Sequence, residues 1–376
     1  MQLSQEDNLR LNVLLNQALH AIRIDEGKMI VYGLTEKGEA KIQLNPNCKD
    51  ELYVRRVKEL ISSHVLGSPG GYPVFLKRWT RMGQARSESL ESLLKLGEPE
   101  AVVAVVGANG ITDEIARRAW WAMPNADNAR RMLARAEVAQ GSMGKVLAEF
   151  LIEFLPFEEE PRNMIESVRL ALQPGLIDAA TFQDLWKKGQ RKNAYLVGFL
   201  FSTPHDLPQA ASAHPRYANW QVKLNALSEQ NNPLASLLEQ LLGEKGQAYL
   251  KTIEMVLKKP ANQDVVVALF ESFEHYFAQS RPHGEKRRDI AQILADAQLM
   301  SGTPQSSMLK SHLEALMTEL PEMQPLVESL FVLSCCGEQL VAPVFARTDA
   351  VGSVMRRKLE PILTPIAEHI NRLQGK

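Results

Sequence analysis

Strand-like alternation in this chain ends at Leu44, and that restriction limits the possible fold more than any other feature of its 376 residues. After a helix expected near residues 5 to 18, runs at His20 to Asp25, Lys28 to Gly33 and Ala40 to Leu44 show strand-like patterning. Gly27 and the step Glu36-Lys37-Gly38 separate them as turns, which predicts a small antiparallel meander. From Lys49 the period changes. KDELYVRRVKELISSHVL places Leu52, Val57, Leu60, Ile61 and Val65 close to one helical face and stops at Gly67. Helical segments then follow one another to the end of the sequence.

Within that helical stretch, Gly110, Asp113, Trp121, Asn128 and Ala129 recur 65 residues later as Gly175, Asp178, Trp186, Asn193 and Ala194. Each copy reads as a glycine turn, an acidic helix cap, a run to tryptophan and an Asn-Ala that opens the next helix. Ile115, Ala116, Ala119, Trp120 and Met123 form the apolar stripe of the first copy; Phe182, Leu185 and Trp186 form that of the second. Pro156 and Pro161 split the segment between the copies into two helices, and Pro99 reads as a first-turn proline opening a helix over AVVAVV.

Farther on, Leu234, Leu237, Leu238, Leu241 and Leu242 mark one amphipathic helix, and Val266, Phe270, Phe273 and Phe277 mark another. LVESLFVLSCC from Leu326 is apolar almost all round and belongs in a core. Pro361 and Pro365 should start or bend the last helix. The expected fold is mainly α: irregular stacked helix pairs, α-solenoid-like, with a small N-terminal α+β head containing a β-meander. The expected organisation is a head over 1–66, a helical region with the echo over 67–205, and a C-terminal helical region over 206–376. The loop rich in Pro, Ser and Ala from Ser202 to Trp220 marks the last boundary.

Charge narrows the partners. Lys and Arg number 43 against 44 Asp and Glu, a formal net charge of −1, so no global field draws the molecule to nucleic acid or membrane. Attraction must be local. Arg78 and Arg81 flank Trp79, Arg130 and Arg131 close the first copy of the echo, and Arg191 and Lys192 close the second. If the copies stack in register, these charges line one surface for an acidic protein or a nucleic-acid backbone. The plainer reading is a set of solvated helix faces. No secretory leader begins the sequence and no apolar run reaches the ~20 residues of a bilayer span, so the reading is cytoplasmic, with no membrane partner.

Cys48 and the adjacent pair Cys335-Cys336 are the only cysteines, an odd number that argues against structural disulfides. A vicinal pair can carry redox or sulfur-transfer chemistry. Here it falls at the C-terminal end of an apolar helix, where the helix dipole and desolvation both disfavour thiolate, so Cys335 and Cys336 read first as small buried hydrophobes. The histidines show no metal-ligand spacing. Gly67-Ser68-Pro69-Gly70-Gly71 lacks the Gly-Lys-Ser/Thr ending of a phosphate loop, and no nucleophile elbow is present. No catalytic residue, cofactor or metal is indicated.

Longer motifs add a resemblance. HVLGSPGGYPVFLKRWTRMGQ from His64, LGEPEAVVAVV from Leu96, RRAWWAMPNADNARRML from Arg117, FLPFEEEPRNMIESVRLALQPG and RKNAYLVGFL together make the chain resemble the DsrS family over much of residues 1 to 205. Members of that family are encoded with the dissimilatory sulfite reductase genes of sulfur-oxidising bacteria. The resemblance implies a cytoplasmic accessory protein supporting oxidation of stored sulfur, and carries no reaction, cofactor or catalytic residue with it. Three uses stay open. The first is a non-catalytic scaffold for a protein partner from the sulfur-oxidation machinery. The others are a regulatory nucleic-acid binder using the Arg and Lys groups, and a sulfur-handling enzyme using cysteine.

Overall fold

In the computed structural model, which describes residues 3–67, 87–281, 289–302, 307–347 and 350–376, the head forms as its patterning demands. Helix α1 (Gln5–Leu15) starts where the Ser4 hydroxyl accepts the Asp7 N–H at 3.2 Å. Strands β1 (Leu19–Asp25), β2 (Ile30–Thr35) and β3 (Gly38–Gln43) follow as an antiparallel meander in that order. Gly33 lets α1 approach the sheet: a Cβ there would lie 2.8 Å from the Leu14 side chain. Helix α2 (Asp50–Leu66) ends at Gly67, whose φ of +66° is the left-handed stop that glycine adopts without strain. Leu11, Ile22, Val31, Tyr53, Val57 and Ile61 join these elements in one core. In it the Tyr53 hydroxyl donates to Asp7 Oδ2 at 2.5 Å, and the Asn45 N–H reaches the same oxygen at 2.7 Å.

The chain divides into two compact units, Met1–Pro156 with Gln173–Ile177, and Phe157–Leu172 with Asp178–Lys376. In the first, the head is joined by α3 (Ser87–Leu94), α4 (Pro99–Val106), α5 (Asp113–Ala122), α6 (Ala126–Leu133), α7 (Ala136–Ala139) and α8 (Ser142–Phe154). Pro99 does open α4 as a first-turn residue, and the β-branched AVVAVV is helical because Val102, Val105 and Val106 are buried. Helices α3 and α5 both pack on β1 and on each other, while α6 packs on α8.

The second unit begins with α9 (Pro161–Ala171), α10 (Ala179–Gly189) and α11 (Asn193–Ser202). It continues through α12 (Tyr217–Glu229), α13 (Pro233–Leu242), α14 (Glu244–Lys258), α15 (Gln263–Tyr276), α16 (Ile290–Gly302) and α17 (Ser307–Glu319). Last come α18 (Gln324–Cys335), α19 (Glu338–Phe345) and α20 (Gly352–Leu373). Neighbours in sequence pair, α12 with α13 and α13 with α14, and α11 buries residues 194–200 against α9, α10, α14 and α15. Helix α18 is the second buried axis, packed on α15, α16 and α20 as its all-round apolar sequence requires. The loop from Ser202 to Trp220 lies wholly within this unit.

Two expectations change. The last helix does not start at its prolines: α20 begins at Gly352 and runs through both Pro361 and Pro365. Each interior proline costs about 3 kcal/mol. Met355, Leu359, Ile362, Leu363, Ile366, Ile370 and Leu373 are buried along the same helix, at roughly 1.5–3 kcal/mol each, and burial wins.

The echo also differs in its details. Thr112, not Asp113, caps α5, and the Asp113 carboxylate instead caps α8, accepting from the Ser142 N–H at 3.0 Å and the Met143 N–H at 2.9 Å. Asp178 does cap its own helix, α10, through the Thr181 N–H at 2.7 Å. Asn125 caps α6, so Asn128 lies inside that helix, whereas Asn193 is the first residue of α11. The copies share a helix–turn–helix outline without sharing residue roles.

No single helix among the described residues is long and apolar enough to cross a membrane. Pro321–Cys335 and Glu338–Phe345 reach that length and composition only together, across a 56° bend.

Candidate functional site

The basic residues marked by sequence have different surroundings. Arg78, Trp79 and Arg81 lie outside the described residues. Arg130 turns inward and is buried, pairing with Asp127 at 2.5 Å, while its neighbour Arg131 is exposed. Arg191 is exposed, and the Lys192 ammonium stands 5.6 Å from the centre of the Tyr195 ring. Arg130 and Arg131 belong to the first unit, Arg191 and Lys192 to the second.

Other cations in the two copies of the echo, Arg117, Arg118, Arg135 and Lys188, are held by local partners. Arg117 grips both oxygens of Glu114, at 2.8 and 2.7 Å, and Arg118 reaches Glu114 at 2.8 Å and Glu91 at 3.3 Å. The Arg117 hydrogen bond, opposed by slight burial and reinforced by Arg118, holds the Glu114 carboxyl at about 2. Arg135 donates to Gly107 O and Asn109 Oδ1, and Lys188 pairs with Asp184 at 2.8 Å. Pairs spaced three and four along a helix offset the charges of Arg117, Arg118 and Lys188, whereas the partners of Arg135 are neutral.

Cys335 is half-buried at the last position of α18, and Cys336 is wholly buried beyond it, its thiol donating to Val332 O at 3.2 Å. Burial, with a smaller contribution from Cys335, pushes the Cys336 thiol far up, so the reactive thiolate is strongly disfavoured. Cys48 packs half-buried against the head core. Among the described residues no three His, Cys, Asp or Glu side chains converge as metal ligands do.

A group that sequence reasoning missed lies on the outer face of the meander. The register sets Arg23 opposite Tyr32, and the Arg23 guanidinium stands 4.6 Å from the Tyr32 ring centre and 5.0 Å from that of Trp121 on α5. Glu39 of β3 completes it, accepting from the Trp121 indole N–H at 2.9 Å and pairing with Arg23 at 3.4 Å. These contacts hold a cation between two aromatic faces, an arrangement worth roughly 0.5–2 kcal/mol per cation–π contact.

Beside the group runs a cleft of about 520 Å³ lined by Arg23, Lys28, Tyr32, Glu98, Val102 and Met123, among others. Lys58 links Glu26 and Glu98 near its wall, at 2.8 and 3.0 Å. Burial pushes the Glu98 carboxyl above its usual range, and Lys58 offsets only part of that. With both signs of charge, aromatic faces and a methionine, the cleft suits a mixed protein surface better than a single-sign ion. The cross-strand pair Arg23–Tyr32 was implicit in the predicted hairpin. The approach of Trp121, far along the chain, had no local signal.

No family model, no curated protein and no solved structure matches this chain.

Proposed function

We propose that this chain is a cytoplasmic, non-catalytic accessory protein of bacterial dissimilatory sulfur metabolism, which serves the oxidation of stored sulfur by binding a protein of that machinery. The metabolic part of this reading rests on the DsrS-like segments quoted above. The binding part rests on one observation: Arg23 is pre-ordered between Tyr32 and Trp121 at the edge of the 520 Å³ cleft. Arg, Tyr and Trp dominate binding energy at protein interfaces, and a guanidinium already fixed loses little entropy on docking. Two observations weigh against the rival readings. The cations Arg117, Arg118, Arg130 and Arg135 are engaged within the fold, which weakens the nucleic-acid reading. The thiol of Cys336 is buried and resists ionisation, which weakens the cysteine-enzyme reading.

The test is affinity capture of the full chain from cells growing on reduced sulfur. The native chain enriches a sulfur-oxidation protein. Arg23→Ala combined with Tyr32→Ala lowers its recovery by about 30-fold, the loss of a hot spot worth about 2 kcal/mol. Enrichment of no such protein refutes the reading, and recovery unchanged by the double variant refutes the assignment of the surface.

A further inference from the structure

At the β3 edge of the same meander the sheet is open. Strand β1 is covered by α3 and α5, but β3 pairs only with β2. In the β2–β3 register Thr35 pairs with Gly38, Gly33 with Ala40 and Val31 with Ile42, and the Leu44 N–H continues the ladder to Met29 O at 2.9 Å. An antiparallel ladder alternates, so the backbone N–H and C=O groups of Glu39, Lys41 and Gln43 point away from β2. They have no partner among the described residues.

Alongside this edge lies a groove of about 400 Å³ between α1 and β3, lined by Leu9, Arg10 and Val13 on one side and Ala40, Lys41 and Ile42 on the other. Leu9 is 66% exposed and Val13 56% exposed, one helical turn apart on the same face of α1. Unpaired strand edges are hazards that folds usually cover or blunt, and Lys41 supplies only one charge for that purpose. A free edge beside an exposed apolar helical face is the geometry by which domains accept an extended peptide as an added strand.

We propose that the β3 edge and the α1 face form a peptide-binding groove that takes an extended, acidic and apolar segment of a partner protein as a fourth strand. The edge fixes the backbone of the occupant as extended. Side chains at alternate positions then meet Leu9, Val13 and Ile42, because successive residues of a strand face opposite sides. Charge selects its composition and argues against a second copy of this chain. Arg10 is paired with Glu6, so Lys41 carries the free charge of the groove, and no carboxylate lines it; an antiparallel second copy sets Lys41 against Lys41, whereas an acidic peptide complements it. The inference rests on the protein-binding reading above but not on the Arg23 cleft.

The experiment pans a displayed library of random ten-residue peptides against the immobilised full chain and measures binding of the selected peptides by fluorescence anisotropy. Selected peptides alternate apolar residues and carry at least one Asp or Glu. Val13→Asp and Lys41→Pro each weaken binding at least tenfold, the first by charging the apolar wall and the second by removing an outward N–H. Val222→Asp, at an exposed position on α12, leaves peptide affinity unchanged, which separates a groove-specific effect from a general effect of added charge. Hydrogen exchange of the Glu39, Lys41 and Gln43 amides slows in the complex. If Lys41→Pro fails to fold, Val13→Asp and Leu9→Asp decide, since both side chains face solvent. Failure to select any peptide overturns the proposal, as does undiminished binding to the Asp variants. So does a concentration-dependent dimer, seen by light scattering and dissolved by Val13→Asp, because it assigns the edge to a second copy.

Discussion

Single residues carry the most exposed consequences of this fold. Asp7 is wholly buried, and the Tyr53 hydroxyl is its shortest hydrogen-bond partner. Tyr53→Phe removes one of the two donors to Asp7 Oδ2, leaving the Asn45 N–H, and should lower stability by about 1–3 kcal/mol in urea unfolding; an unchanged midpoint contradicts the account. His369 is buried with its Nδ1 3.0 Å from Ser329 Oγ, and burial, aided by Arg372 and opposed by Glu328 and Glu368, lowers its pKa from 6.5. The folded state therefore resists protonation, so the unfolded state binds the proton first as pH falls through about 6.5. The stability contribution of His369 is complete above that pH and is lost below it. Comparing the native chain with His369→Gln isolates the effect: the difference in unfolding free energy shifts against the native chain from pH 7.5 to about 5.5, and a constant difference refutes it. Among residues, the burial of Cys336 was legible because a continuous apolar run surrounds it. The Arg23–Trp121 contact was not, since nothing within either segment encodes which distant surface it meets.

At the scale of elements, patterning located the meander, α2 with its Gly67 stop, and the proline break between α8 and α9. It failed where two signals competed. Thr112 and Asp113 are both good caps, and the structure uses the first for α5 and frees the second for α8. The 65-residue spacing thus matched residue types whose roles are exchanged among neighbours. The last helix does not start at Pro361 for a different reason: a local cost is outweighed by burial along the whole of α20. That conflict makes a prediction. Pro361→Ala supplies the N–H missing from the helix without disturbing the buried stripe, and Pro361 itself is exposed. Stability should rise by about 2 kcal/mol in denaturant unfolding, and a fall shows that the proline is needed where it is.

Across the whole molecule, organisation depends on long-range packing that composition does not report. Gln173–Ile177 joins the first unit although both flanking helices join the second. The Gln173 side-chain amide donates to Leu133 O at 3.0 Å there; Pro174-Gly175 signals a turn, but nothing in it says which unit the turn joins. The Pro- and Ala-rich loop from Ser202 to Trp220 illustrates the converse, a clear linker signal inside one unit. Helix α11 before the loop packs on α14 and α15 after it, and the Lys251 ammonium holds Ala210 O at 3.0 Å. Cleavage at a protease site placed after exposed Ser212 should leave both fragments eluting as one species on a sizing column; separate elution contradicts this packing. The central claim, a non-catalytic binding role in sulfur oxidation, is tested most directly by the rate at which stored sulfur disappears from cells that lack this chain. That rate should fall on deletion, recover with the native chain and with Cys48→Ser combined with Cys335→Ser, and stay low with Arg23→Ala combined with Tyr32→Ala. An unchanged rate on deletion, or failure of the cysteine variant to restore it, contradicts the account.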